Sequence, residues 1–329
     1  MINGILIALD SNMKEKIIKG VLNDIQDILQ KKRMTFKIDR TDDINIFSVI
    51  DGGTIEYLNI SVDINRQILI LSSKIKGAIE TSIREEFAVL ISVVNNLLFD
   101  GSYDFDLDSG ELYYRLTTSC MTREIIEDKL MIATELTGCG YNIIADFISG
   151  KDSFSASISR VIKSKTENFT KQDIEKTKKV FHCLELFIKS IGWRYKKYSE
   201  DLRIGFDVLG EDVPMSFDIS VDSDKEMIIL DSIQPFITRS KKREKLALAT
   251  CIVSNILIDG SFSYNWTEDR IVFRMTTSYK DDSVDNDVLI YIVTCALNTV
   301  EQFNDKFLDL NKGNISLKNF IECIKNEYI

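Results

Sequence analysis

The amino-acid sequence predicts an α+β protein made of two repeated modules, each an antiparallel sheet with helices packed on one face. Three observations lead to this fold class. One segment of the chain recurs at an offset of 159 residues. Stretches with apolar side chains at helical spacing alternate with short runs of β-branched and aromatic residues, and turn-forming residues separate the two. The predicted order is α-βββ-α-ββ-α with a further hairpin strand, and the helices need a sheet to cover their apolar stripes.

The repeat defines the domain organisation. Residues 60–119 align without a gap with residues 219–278, and 20 of these 60 positions are identical. Unrelated chains of ordinary composition would share roughly 3 or 4. We therefore predict a first module over residues 1–165 and a second over residues 166–329, with the boundary in the polar residues 163–170.

Helices are predicted where apolar residues recur three and four positions apart. The ranges are 14–31, 83–99 and 124–148 in the first module, and 171–191, 242–258 and 288–310 in the second. Gly101 and Gly260 are predicted to end the middle helix, because glycine adopts the left-handed conformation at little cost. Ser153 and Ser316 are predicted to cap a short last helix in each module.

Strands are predicted from β-branched and aromatic residues between turn signals. In the first module they cover residues 36–38, 45–50, 55–63, 67–71, 103–107 and 112–116. Residues 60–63 and 68–71 are expected to pair as a hairpin. The strand at 103–107 and its counterpart at 262–266 each alternate an aromatic face with a polar face, as a half-buried strand does.

Bulk properties limit the classes of partner. The chain has 51 acidic and 41 basic residues, a net charge of −10, which disfavours nucleic acid and anionic membranes. No apolar stretch approaches the ~20 residues of a membrane helix, and the apolar run at residues 5–9 lacks the features of a signal peptide. The six cysteines contain no CxxC pair, so we expect buried thiols and a reducing, cytoplasmic location.

No catalytic, cofactor or metal site is predicted. Asp104, Asp106 and Asp108 have the spacing of a calcium loop, but Ser109 and Arg115 stand where the loop needs glycine and glutamate. We interpret the three acids as a solvated strand face. The single histidine, His182, lacks the neighbours that zinc binding or Ser-His-Asp chemistry requires, and we expect it on an exposed or flanking face of its helix.

Two groups of residues are candidates for partner binding or for support of the fold. Arg115 and Arg274 are equivalent, and each would either bind a carboxylate or phosphate or form a cross-strand ion pair with Asp100 or Asp259; we favour the ion pair. The second group is aromatic and is expected to be core, with a partner-binding surface as the alternative. It consists of Tyr103, Phe105, Phe262, Tyr264 and Trp266.

The segments NNLLFDGSYDFDLDSGELYYR and SNILIDGSFSYNWTEDRIVFR, one in each module, resemble the YbjN-like domain of bacteria. That domain shares its fold with the type III secretion chaperones. The resemblance covers nearly the whole chain, once per module. It implies the secretion-chaperone fold and a role in binding other proteins, which the chaperones perform as homodimers. A tandem duplication would supply both halves of such a dimer in one chain.

The function expected from these observations is non-enzymatic protein binding, chaperone-like or regulatory, by an internal pseudo-dimer. The partner is expected to be a protein, and a homodimer of the whole chain stays open as a second arrangement. Two alternatives remain: a regulatory or toxin-neutralising inhibitor, and an enzyme whose site is assembled between the two copies.

Overall fold

The computed structural model describes residues 11–40, 44–49, 53–63, 66, 68–119, 122–136, 140–164, 174–211, 213–238 and 240–328. The apolar run at residues 5–9, most of the expected boundary at residues 163–170, and Cys120 and Cys139 lie outside these ranges. We refer to residues 11–164 as the first half and residues 174–328 as the second half.

Within the described ranges, each half contains six strands. Those of the first half are β1 (Thr35–Arg40), β2 (Ile44–Val49), β3 (Ile55–Asp63), β4 (Ile68–Ile75), β5 (Ser102–Phe105) and β6 (Leu112–Thr118). Those of the second half are β7 (Tyr195–Tyr198), β8 (Arg203–Val208), β9 (Met215–Asp222), β10 (Met227–Ile233), β11 (Ser261–Asn265) and β12 (Arg270–Ser278).

Nine α-helices lie among these strands in the described ranges. The first half has α1 (Ser11–Lys31), α2 (Arg84–Asn95), α3 (Arg123–Glu135), α4 (Tyr141–Ile148) and α5 (Phe154–Ser164). The second half has α6 (Ile174–Ser190), α7 (Arg243–Ser254), α8 (Asn286–Lys312) and α9 (Leu317–Tyr328). No helix in this part of the chain combines the length and apolar character needed to cross a membrane.

The strands form two antiparallel six-stranded sheets, ordered β1-β2-β3-β4-β6-β5 and β7-β8-β9-β10-β12-β11. The α+β class is therefore confirmed, and so is the predicted hairpin, since Ile60 pairs with Leu71 and Val62 with Leu69. The hairpin strand β4 lies in the centre of its sheet, between β3 and β6. Antiparallel neighbours of this kind need only short connections, which suits the turn residues between them.

Periodicity explains which faces of the elements are buried. In α1, Ile25, Ile28 and Leu29 are at most 1% exposed, as their spacing predicts. In β3 and β4 alternate residues such as Leu58, Ile60 and Leu71 are fully buried. Helices α3 and α8 pack on the sheets of their own halves.

The middle helices depart from the prediction in position and in length. Helices α2 and α7 pack against each other between the halves, and α2 also packs on β11, so the helices do not all cover one face of their own sheet. Both end six residues before the predicted stops, Gly101 and Gly260. These glycines instead lead into β5 and β11 at φ +68°, where a Cβ at Gly101 would lie 2.6 Å from the Arg115 carbonyl oxygen.

The closing helices are built differently in the two halves. The predicted helical region 124–148 is two helices, because Leu136 and Gly140 adopt left-handed backbone conformations with φ of 52° and 66°. Its counterpart α8 runs without a break for 27 residues. The short last helices are capped as predicted, with Ser153 Oγ accepting from Ala156 N and Ser316 Oγ from Asn319 N.

Candidate functional site

The aromatic residues of the candidate group belong to the core. Tyr103, Phe105, Phe262 and Tyr264 are at most 1% exposed. Trp266 is partly buried, and its ring contacts Phe154 of α5 from the first half, with centroids 6.5 Å apart. These rings hold the fold together and join its halves.

Arg115 connects the two halves through a buried ion pair. Its guanidinium bonds the carboxylate of Asp104, with Nε 2.5 Å from Oδ2, and both side chains are about 90% buried. Nη1 donates to the carbonyl oxygen of Ile258 in the second half at 2.8 Å. Burial alone would lower the pKa of Arg115, but the adjacent Asp104 carboxylate raises it, so the guanidinium stays charged. The hydrogen-bond donors of Arg115 thus bond to groups of the protein itself.

Arg274 makes the reciprocal contact from the second half. It forms a bidentate ion pair with Asp231 on the neighbouring strand, at 2.7 Å for both nitrogen–oxygen pairs. Its Nη1 donates to the carbonyl oxygen of Leu98 in the first half at 2.9 Å. The predicted type of contact, a cross-strand ion pair, is present at both arginines, but the suggested partners Asp100 and Asp259 are wrong.

The interpretation of the three acids as a solvated face is also wrong for Asp104, which is 7% exposed. Strand β5 ends at Phe105, one residue before Asp106, so the alternation stops earlier than predicted. Asp106 lies in the following turn, where its carboxylate accepts from the backbone N–H groups of Asp108 and Ser109.

Polar side chains from equivalent regions of the halves bond to each other across the interface. Ser92 and Thr250 share a buried hydrogen bond of 2.6 Å between α2 and α7. Ser119 and Thr277 share another of 3.2 Å. The partners in each pair are 158 positions apart, close to the 159-residue offset of the aligned segments, so corresponding regions of the two halves meet at this interface.

Asp100 and Asp259, the acids of the two Asp-Gly pairs, reach the same interface. Asp100 forms an ion pair with Lys129 of α3 and accepts from Thr276 Oγ1 of the other half at 3.1 Å. Asp259 accepts from its neighbour Gly260 N and, at 3.0 Å, from the hydroxyl of Tyr291. Burial raises the pKa of Asp259, and the charge of Arg115 offsets only part of that effect.

A small cavity lies at the centre of this interface. Its lining includes Phe99, Arg115, Asp259, Arg274 and Thr276, drawn from both halves. Its volume of about 20 Å³ is enough for about one water molecule. Small-molecule sites usually enclose several hundred Å³, so this cavity does not fit a metabolite.

Metal-ligating side chains do not converge within the described ranges, where no group of three or more His, Cys, Asp or Glu is placed to hold an ion. Of the two expected positions for His182, an exposed or a flanking face, the structure has the exposed one, with the side chain 64% accessible. Cys251 is buried and free, whereas Cys183, Cys295 and Cys323 are free and half-buried. Burial raises the pKa of the Cys295 thiol to about 11, which disfavours the reactive thiolate.

Sequence reasoning identified the two arginines but missed their partners and the link between Lys129 and Asp100. Lys129 offered one signal, since it lies on the same helical stripe as the apolar residues Ile126 and Ala133. A lysine in an apolar stripe usually has a buried counter-ion. The carbonyl groups that the two arginines bond in the other half could not be predicted, because every residue type has a backbone carbonyl.

No protein-family model, no curated protein and no solved structure matches the chain.

Proposed function

We propose that this chain is a non-enzymatic protein-binding protein whose halves are diverged copies of one secretion-chaperone-like module, joined as an internal pseudo-dimer. The observation that carries the proposal is the reciprocal interface. Arg115 of the first half bonds the carbonyl of Ile258, just after α7, and Arg274 of the second half bonds that of Leu98, just after α2. A contact in which each partner offers the same surface is typical of two-fold dimers.

The common strand order supports descent from one module, because each sheet places its fifth strand at one edge and its sixth beside the fourth. A second shared feature is a pair of hydrogen bonds at the start of that fifth strand, in which one side chain bonds both backbone groups of one strand residue. Asn95 bonds the backbone N–H and carbonyl of Tyr103, and Ser254 does the same for Phe262. Both positions lie within the aligned segment.

The polar groups at the interface between the halves bond to one another, which favours protein binding over catalysis. Arg115 and Arg274 are neutralised by Asp104 and Asp231, and the central cavity has room for about one water molecule. A reaction centre instead needs a group held near a substrate-sized space.

An affinity-tagged full-length chain, recovered from its own cells after chemical crosslinking, tests the proposal. We expect one protein partner at a reproducible ratio, identified by mass spectrometry, and a monomeric chain in analytical ultracentrifugation without it. A partner-free chain whose melting temperature rises reproducibly with a metabolite would favour an enzyme instead. A chain that sediments at twice its own mass would contradict the internal pseudo-dimer.

A further inference from the structure

Two tyrosines, one lysine and two glutamates form a connected group on the sheet of the first half. Tyr57 of β3, Lys74 of β4 and Tyr113 of β6 are direct partners across these three neighbouring strands. Residues directly opposite each other in an antiparallel sheet have their side chains on the same face. Glu56 and Glu111 contact this row, and we call the five residues together the tyrosine face.

The tyrosine face lies on the side of the sheet that is turned away from α3. Ser73 of β4 donates its hydroxyl to the Ala133 carbonyl of α3, so it marks the side that this helix covers. Its partners on β3 and β6, Leu58 and Tyr114, are at most 2% exposed. The row of the tyrosine face alternates with these three residues along the strands, so it lies on the opposite side. Its two tyrosines are half-buried.

Hydrogen bonds and ion pairs join the five side chains. Lys74 Nζ lies 2.7 Å from Glu111 Oε1 and 3.5 Å from Glu56 Oε2. Tyr113 donates its hydroxyl to Glu111 Oε2 at 2.7 Å, and its oxygen is 3.5 Å from the hydroxyl oxygen of Tyr57. The Lys74 ammonium also lies 5.6 Å from the centre of the Tyr57 ring. These contacts hold the tyrosine rings and the carboxylates in one arrangement.

The carboxylates of the tyrosine face are more accessible than its cation. The side chains of Glu56 and Glu111 are 49% and 34% exposed, whereas that of Lys74 is 16% exposed. Hydrogen bonds from Lys74 and Tyr113 lower the pKa of Glu111, so its carboxylate is charged at neutral pH. Two outer acids and one recessed lysine, in a chain of net charge −10, make this face electrostatically complementary to cations.

The second half lacks this group although it forms the same three strands in the same order. The residues at the repeat offset are Met215, Ser216, Ile233, Arg270 and Val272. Ile233 and Val272 are direct partners, as Lys74 and Tyr113 are in the first half. None of the five is a tyrosine or an acid, and a cation replaces Glu111. Because the second sheet forms without a tyrosine face, the fold does not require one, and its presence in the first half points to binding.

A basic protein segment fits this combination of side chains. Tyrosine is enriched among the residues that contribute most to binding, since it offers a large ring and a hydroxyl group. The faces of aromatic rings attract ammonium and guanidinium groups, as the position of Lys74 beside Tyr57 illustrates. Carboxylates pair with the same cations, and arginine bonds them through two parallel hydrogen bonds. Nucleic acid, in contrast, is repelled by outward carboxylates.

We propose that the tyrosine face binds a basic segment of a protein partner. Glu56 and Glu111 pair with lysine or arginine side chains of that segment, and the rings of Tyr57 and Tyr113 pack against their aliphatic stems. This proposal rests on the proposed protein-binding function and adds to it the place of contact and the chemistry of the partner.

Fluorescence anisotropy with the full-length chain and a labelled peptide of alternating Arg and Ser tests the proposal. The first variant combines Tyr57→Ser and Tyr113→Val, which introduces the residues that the second half has at these positions and leaves the net charge unchanged. We expect its affinity for the peptide to fall about tenfold, because the two rings are lost.

A second variant tests the carboxylates and has a matched control. It combines Glu56→Gln and Glu111→Gln, and the control combines Glu127→Gln and Glu135→Gln, two exposed residues of α3. Both remove the same charge, but the control removes it from the helix on the other side of the sheet. We expect about a tenfold loss for the test variant and less than about twofold for the control, with stronger wild-type binding at low salt.

Unchanged affinity in the tyrosine variant, provided that circular dichroism shows it folded, would overturn the proposal. Equal losses in the glutamate variant and its control would do so too, because net charge alone would then explain binding. If crosslinking recovers the same partner with the wild type and both test variants, the protein-binding function holds and the tyrosine face is the wrong place. If neither a partner nor the peptide binds the wild type, both proposals fail.

Discussion

Asp100 and Asp259 occupy equivalent positions, yet their carboxylates are stabilised in different ways. Asp100 forms an ion pair with Lys129, whereas Asp259 has the hydroxyl of Tyr291, one backbone N–H and the charge of Arg115, which offsets only part of the effect of burial. Lys129 and Tyr291 come from the closing helices, outside the aligned segments 60–119 and 219–278. The comparison teaches that the aligned segments share these acids, whereas the helices that supply their partners differ between the halves.

The closing helices show the same divergence in the backbone. Helix α3 ends near Ala133, which leaves a carbonyl free to accept from Ser73 Oγ at 2.6 Å. The equivalent serine, Ser232, lies in β10, and the helix that packs on this strand is the unbroken α8, whose interior carbonyls are already bonded within the helix. Its buried hydroxyl has no partner among the described residues. Of these two aligned serines, Ser73 therefore has a hydrogen-bond acceptor and Ser232 has none among the described residues.

The largest expected effect comes from removing the counter-charge of Asp100. Lys129→Met leaves a nearly buried carboxylate without its cation, and we expect the free energy of unfolding to fall by about 3–5 kcal/mol. Tyr291→Phe removes one neutral hydrogen bond from Asp259 and should cost about 1 kcal/mol. Urea unfolding of the full-length variants measures both, and equal losses would show that the two acids are not stabilised differently.

A smaller difference is expected between the two arginines. Arg115→Met leaves Asp104 buried and should cost about 3 kcal/mol, because that pair is about 90% shielded from water. Arg274→Met should cost about 1–2 kcal/mol, since Arg274 and Asp231 keep about a quarter of their side-chain surface in solvent. Thermal unfolding followed by circular dichroism would rank the variants, and a larger loss at Arg274 would contradict the burial argument.

The two serines provide a matched pair with a still smaller effect. Ser73→Ala should cost about 1–2 kcal/mol, because the Ala133 carbonyl loses a buried donor. Ser232→Ala should leave stability unchanged or raise it slightly, since it removes a buried hydroxyl without a partner. Chemical unfolding of both variants provides the measurement. A clear loss with Ser232→Ala would mean that the continuous helix does satisfy this serine.

The smallest effect concerns Glu185, whose equivalent in the first half is Gln26. The hydrogen bonds from Lys197 and Lys189 hold the pKa of Glu185 at about 2, below its usual 4.5. A depressed carboxyl pKa stabilises the folded state above pH 4.5, and this contribution is lost as the pH falls towards 2.

We therefore expect Glu185→Gln to cost about 1 kcal/mol at neutral pH, because its lysine partners are partly exposed. The cost should shrink as the pH falls from 4.5 to 2. Unfolding free energies of wild type and variant, measured across this range, give the difference directly. A gap that stays constant with pH would show that Glu185 is not held in its charged form by the two lysines.

The sequence by itself determined the local structure. Alternation and helical spacing predicted the β3–β4 hairpin, the buried stripe of α1 and the caps at Ser153 and Ser316, because neighbours in the chain decide these features. Burial of the aromatic faces followed from the same patterns. The end of α2 was misplaced, since Gly101 has the left-handed conformation of a helix stop but serves the entry to β5.

Only the tertiary structure decided which groups the buried charges meet. Arg115 bonds the carbonyl of a residue 143 positions away, and any residue type offers that carbonyl. The break in α3 and the continuity of α8 likewise set whether Ser73 or Ser232 finds an acceptor. Such partners depend on how the two halves pack against each other. Hydrogen bonds to backbone groups also produce no pattern of side chains from which they could be predicted.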